Sequence, residues 1–197
     1  MLRHAKNSGF TLIELIVVLA IFGILVTLGL PNFNVWTQNA QIRTAAGAIQ
    51  NGLQLARSEA VRRNAQIRFQ LTDTTDNNCA LTTTATNWII SFDDPTGACG
   101  GAFVNEAFLI SDATNNPAPR MIQRRPAAEG SSRVVASANQ SVIVFNGLGR
   151  ADTGAVIDFN PSTGACTAFR CLRVTISTGG QIRMCDPNLP SGDTQAC

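Results

Sequence analysis

Residues 8–20 read SGFTLIELIVVLA, an apolar run that keeps one carboxylate, Glu14, four residues after Phe10. From Phe10 to Leu30 the only other polar side chains are Thr11 and Thr27. At about 1.5 Å per residue this stretch makes a helix about 32 Å long, enough to cross the hydrocarbon core of a bilayer. A carboxylate inside such a span costs about 2.5–3.5 kcal/mol, so it calls for a partner. No basic residue follows within two turns. The nearest cation is the α-amino group of Phe10, freed if the chain is cut after Gly9. That amine on the same chain and on a neighbouring copy are equally within reach, one helical turn away. A plain single-pass anchor with a tolerated Glu14 near the membrane surface explains the charge as well.

Arg3, His4 and Lys6 precede the run. The excess of positive charge keeps that end cytoplasmic and sends the rest of the chain across. A secretory signal is cut after its apolar region. Here the break resembling a processing site, Ser8-Gly9-Phe10, comes before it, so cleavage leaves the apolar run on the mature chain. That mature chain has no Lys and no His. It carries 13 Arg against 13 Asp plus Glu, so its side chains sum to zero. Bulk charge therefore predicts no strong pull toward nucleic acid or anionic lipid, and any such binding needs a local cluster.

The stretch GFTLIELIVVLAIFGILVTLGLP, Gly9 to Pro31, closely resembles the type III signal and N-terminal helix of type IV pilins and type II secretion pseudopilins. The resemblance implies a leader, residues 1–9, removed after Gly9 by a prepilin peptidase, and N-methylation of Phe10. Residues 10–36 then form a transmembrane and filament-core helix, and residues 37–197 a globular domain in the periplasm. The resemblance assigns Glu14 to the N-terminal amine of an adjacent subunit. The implied partners are the inner membrane and other major and minor pilins, met through the N-terminal helix, and the implied destination is a cell-surface pilus.

Beyond Pro31, Val35, Ile42, Ile49 and Ala56 recur every seven residues, with Ala46, Leu53 and Ala60 between them. This is one apolar face at helical spacing, while Arg43, Gln50, Arg57 and Arg62 fall largely off it. One helix is expected from Phe10 to about Arg63, kinked or locally opened at Pro31. The period then changes to two, at Ile67-Phe69-Leu71 and Trp88-Ile90-Phe92. Further strands are expected at 107–110, 133–136, 141–145, 155–159, 172–176 and 181–184. Residues 72–86 and 93–102 read as polar loops, and the Pro/Arg-rich 115–130 as irregular. The fold class is α+β: a long N-terminal helix, transmembrane in its first half, packed on an antiparallel β-sheet domain.

SVIVFNGLGRADTGAVIDF (141–159) and CLRVTISTGGQIRMC (171–185) resemble the C-terminal part of the GspH/FimT family of minor pilins. Gly180, Arg183 and Cys185 match that family's Gly-x-x-Arg-x-Cys ending. In members that bind DNA during natural transformation the final hairpin carries Gly-Arg-x-Arg. Here the residues are Gly180, Gln181, Ile182 and Arg183, so the first arginine is replaced. The candidate DNA contacts are Arg150, Arg170, Arg173 and Arg183. The competing reading is a solvated face with local Arg–Asp pairs, Asp186 being the obvious partner. Arg120, Arg124 and Arg125 form a second, unspecific cluster.

Six cysteines downstream of a membrane segment read as disulfides in an oxidising compartment. A three-residue loop, Ser177 to Gly179, with Gly179 in the left-handed position, places Cys171 opposite Cys185. Cys79 and Cys99 bracket the Trp88 strand and are expected to pair, leaving Cys166 and Cys197. No cysteine spacing suits zinc, no metal site is expected, and no cofactor is implied. With no mature His or Lys, and with Asp93 and Asp94 adjacent in a turn-forming Asp-Asp-Pro, an enzyme is not expected. The function implied is a structural subunit, a minor pilin that helps prime pilus assembly at the tip, in twitching, adhesion or DNA uptake. The alternatives are a DNA-binding competence pilin and a GspH-like minor pseudopilin of type II secretion.

Overall fold

Helix gives way to strand where the sequence period changes. In the computed structural model the described residues are 10–127 and 133–197, without the side chains of 27–32. Helix α1 spans Leu12–Arg63. The helix assignment continues through Pro31; the side chain of that residue lies outside the described set, and the expected kink stands as a proposal. A Schellman motif ends α1: Asn64 takes a φ of 47°, Ala65 N–H donates to Ala60 O, and Asn64 N–H to Val61 O.

The chain divides into two units, residues through Thr37 and Gln38–Cys197. In the first, apolar side chains from Phe10 to Val26 are exposed all round the helix. Among the described residues no helix is long and apolar enough to cross a membrane; residues 27–30 of the apolar run fall outside the described side chains.

The second unit holds eight strands: β1 (Ile67–Thr72), β2 (Asn87–Ser91), β3 (Met121–Arg125), β4 (Val134–Ala138), β5 (Val142–Phe145), β6 (Ala155–Pro161), β7 (Leu172–Ile176) and β8 (Ile182–Cys185). They form two four-stranded antiparallel sheets, in the orders β3-β2-β1-β5 and β4-β6-β7-β8. Ile42, Ala46, Ile49, Leu53, Ala56 and Ala60 of α1 are all fully buried. They share one core with Phe69, Phe145, Ile157, Phe159 and Val174, drawn from both sheets. The apolar stripe read from the sequence is therefore the packing face, apart from Val35 at its start, which is exposed. Strands β6 and β7 alternate buried and half-buried side chains, the pattern of a strand with one face on a core.

Two segments correct the sequence reading. Residues 107–110 are not a strand; their turn is organised by the buried Asn116, whose amide donates to Asn105 O and Leu109 O while its oxygen accepts from Asn105 N–H. Within the stretch read as irregular, Met121–Arg125 forms β3, paired with β2 at Trp88↔Arg125 and Ile89↔Arg124. Pro119 and Pro126 bound it, and Arg124 donates to the carbonyls of Cys99 and Gly101.

Candidate functional site

Three regions carry the residues singled out in the sequence. The first is the N-terminus of α1. Thr11 precedes the helix, and its hydroxyl accepts from Glu14 N–H at 3.3 Å. Thr11-Leu12-Ile13-Glu14 is thus an N-cap with a glutamate at its third position, the spacing of a capping box. Glu14 stands in the first turn, where the helix dipole favours a negative charge. The T-x-x-E signal was available in the sequence, and it makes Thr11 a working residue the sequence reading missed. Phe10 is 87% exposed. Gly9 and the rest of the leader lie outside the described residues.

The second region is the final hairpin, where a register shift overturns the expected disulfide. Ile176 pairs with Ile182, and Arg173 with Cys185. The loop is Ser177 to Gln181, five residues rather than three. It is closed by Ser177 N–H to Gln181 O at 3.0 Å and Gly180 N–H to Ser177 O at 2.8 Å. The left-handed glycine is Gly180, at φ 80°, not Gly179. Cys171 therefore lies two positions out of register with Cys185 and cannot face it. It bonds Cys166 within the β6–β7 connection, and Cys185 bonds Cys197, while Cys79 bonds Cys99 as expected.

Each hairpin arginine has an internal partner. Arg173 and Asp158 are directly opposite on β7 and β6 and form a two-point ion pair, at 2.6 and 3.1 Å. The Asp158 carboxylate holds the Arg173 guanidinium above its usual pKa, against a smaller opposing effect of burial. Arg170 donates to the buried Asp186 at 3.1 Å and to Gln195. Arg183 donates to the carbonyls of Thr194 and Ala196 at 3.3 and 2.7 Å. Arg170 and Arg183 thus hold the segment 186–197 beside β8, where Cys185–Cys197 also fastens it. Arg150 is exposed. Three of the four arginines are thus committed to the protein itself.

The third region joins the two glycine-bearing turns. Gly149, at φ 73°, and Gly180 meet: a Cβ on Gly180 would lie 1.9 Å from Gly149 O. Arg57 of α1 donates its Nε–H to that carbonyl at 3.0 Å. The NGLGR turn, the final hairpin and the helix are thus locked at one point. Sequence placed Arg57 off the apolar face, but nothing local revealed its partner 92 residues on.

At the opposite edge, Asp93 accepts from Arg120 at 2.8 and 2.6 Å and has its pKa lowered mainly by that bond, against burial. Asp94 accepts from the N–H and hydroxyl of Thr96, the turn expected for Asp-Asp-Pro. Glu59 and Glu106 bind Arg62 and Arg63 at the end of α1. A cleft of about 360 Å³ lies between the loops around Gly97 and Pro117; its charged lining residue, Arg120, is the one held by Asp93. Among the described residues no cluster of His, Cys, Asp and Glu is arranged to hold a metal ion.

A helix apolar on every side at its start, followed by an antiparallel domain fastened by disulfides, is the build of a pilin-like subunit. Residues 45–180 match the family of the type II transport protein GspH, and residues 4–30 match the prokaryotic N-terminal methylation motif. The chain belongs to the GspH family. Among solved structures it is similar to the type IV minor pilin FimU of Pseudomonas aeruginosa strain PAO1. Identity is 17%, with a TM-score of 0.49 over 82% of this chain and 98% of that one. A second crystal form of FimU gives 17%, 0.47, 79% and 98%. No curated protein matches the chain.

Proposed function

We propose that the protein is a minor pilin of a type IV pilus that helps prime filament assembly at the tip. The observation carrying this reading is the start of α1, apolar and exposed all round through Val26 and matched by the methylation motif over residues 4–30. A helix of that kind is stable only within a bilayer or among other apolar helices. In this reading prepilin peptidase cuts after Gly9 and Phe10 is N-methylated. Residues 10–36 then span the inner membrane, with the domain from 37 onward in the periplasm, and later pack among major and minor pilins in the surface filament. Thr11 fixes the first turn, so the Glu14 carboxylate is presented one turn from the chain start, where the amine of an adjacent subunit can meet it. Assembly then exchanges a lone carboxylate at the end of the apolar span for an ion pair.

The description of the matched family favours a second reading, a minor pseudopilin of a type II secretion system. Both readings share the processing and the Glu14 contact. DNA capture is weakened as a third by the internal partners of Arg170, Arg173 and Arg183. In the test, Glu14→Gln keeps the backbone cap but removes the charge. The variant is expected to be processed and membrane-bound yet to lose co-purification with partner pilins. Normal assembly would overturn the role of Glu14. A deletion strain that loses surface pili supports the first reading, and one that keeps pili but loses secreted proteins supports the second.

A further inference from the structure

Phe33 and Trp36 stand one turn apart on α1, ring centroids 6.0 Å apart, and both are exposed, at 60% and 66%. They lie just past the apolar run, with Asn34 and Thr37 beside them. Thr37 returns its hydroxyl to Phe33 O at 2.7 Å. The protein's other tryptophan, Trp88, is buried in the β domain.

Spacing gives the pair a place. No charged residue occurs between Glu14 and Phe33. Glu14 and Trp36 are 22 residues apart in one helix, about 33 Å at about 1.5 Å per residue. A hydrocarbon core is about 30 Å thick. The carboxylate and the aromatic pair therefore mark its two boundaries. An indole is a broad apolar plate with one N–H donor, which suits the layer where acyl chains meet headgroups. A water-facing aromatic pair would instead leave two large apolar surfaces hydrated with nothing to offset them.

We infer that Phe33 and Trp36 form an interfacial anchor, seating the outer end of the helix in the headgroup layer of the bilayer while Glu14 lies at the opposite boundary. The occupant of this exposed face is phospholipid at the acyl–headgroup junction. The inference rests on the membrane-spanning reading proposed above. It goes further by fixing the depth of the helix, and it keeps Glu14 near an interface, where a charge costs less than at the bilayer centre.

The test uses the full chain in phosphatidylcholine–phosphatidylglycerol vesicles whose acyl chains carry bromine at shallow or deep positions. Flotation checks insertion. Trp88→Phe leaves Trp36 as the sole indole, and the difference between the unmodified chain and Trp36→Phe gives the same signal without disturbing the core. Shallow bromines are expected to quench Trp36 about twofold more than deep ones, as for a residue of the aromatic belt. Floating protein whose Trp36 is quenched by aqueous acrylamide and not by bromolipid, or most strongly by deep bromines, overturns the anchor alone. Failure to float overturns the membrane reading and the anchor with it.

Discussion

Gly180→Ala tests whether the two glycine turns are locked together as described. Two costs combine at this position. The residue holds φ 80°, where a Cβ costs about 1–2 kcal/mol. The new methyl would also lie 1.9 Å from Gly149 O, a backbone atom, so one of the two turns must move. Forcing extra volume into a packed site costs about 1–3 kcal/mol. Alanine recovers about 0.4–1 kcal/mol by restricting the unfolded chain. The net expectation is a loss of about 2–4 kcal/mol. Gly97→Ala is the control, with a similar φ of 76° but open space around its Cβ, so only the conformational part remains, about 1 kcal/mol. The assay is urea unfolding of residues 38–197, which contain all the buried core residues among those described, with midpoint and slope both fitted. A Gly180→Ala loss within about 0.5 kcal/mol of the Gly97→Ala loss at unchanged slope would refute the contact, since two-site differences of that size are not resolved from additivity. Arg57→Leu gives an independent check. It removes the Nε donor to Gly149 O and is expected to cost about 1 kcal/mol.

Three further outcomes are expected. Asp93→Asn should cost about 1 kcal/mol at neutral pH, a partly exposed ion pair being modest. Because the folded Asp93 carboxyl has its pKa below the ordinary 3.8, its contribution is present above that pH and lost as the pH falls through the folded value; the variant's acid unfolding limb should therefore be flatter, and an unchanged limb would count against the pair. Graded reduction with dithiothreitol followed by alkylation and peptide mapping should open Cys185–Cys197 first, since Cys197 is exposed, and Cys79–Cys99 last, since both its cysteines are buried; early labelling of Cys79 would contradict the burial. A gel shift of residues 38–197 with DNA across a salt series should show no retention, and salt-sensitive binding lost in Arg173→Gln/Arg183→Gln would overturn the reading that these arginines serve the fold.

The helix boundary, the strands β1, β2, β6 and β7 and the helix packing face were legible because each is set by local periodicity. The β3 strand was not. Met121-Ile-Gln-Arg-Arg looks like a charged loop until its arginines are placed. Arg124 lies over the Phe103 ring and donates to the carbonyls of Cys99 and Gly101, so its stem and head serve the sheet edge. The division into two sheets was equally hidden, because alternation tells a strand which face is buried but not which neighbour it takes. At the helix start the reverse holds. Thr11 and Glu14 form a purely local motif, and the cap could have been read directly.

The disulfide error and the arginine question share one cause. Hairpin register was read from the preference of short loops, which is local, whereas Gly180 is placed by Gly149 and Arg57, which are remote in sequence. A two-residue slip keeps every side chain on its face, so the apolar pattern 172-174-176 fits either register and could not correct the choice. The slip nonetheless changes every cross-strand partner. It puts Cys185 beside Arg173 and moves Arg183 opposite Thr175. Cys185 is then free to fasten Cys197, and the fastened segment supplies the carbonyls that Arg183 binds. A hairpin that appears in sequence as a row of available arginines is thereby turned into the anchor of its own tail. Its charge holds that tail, whose backbone pairs with Asp186 just past the end of β8.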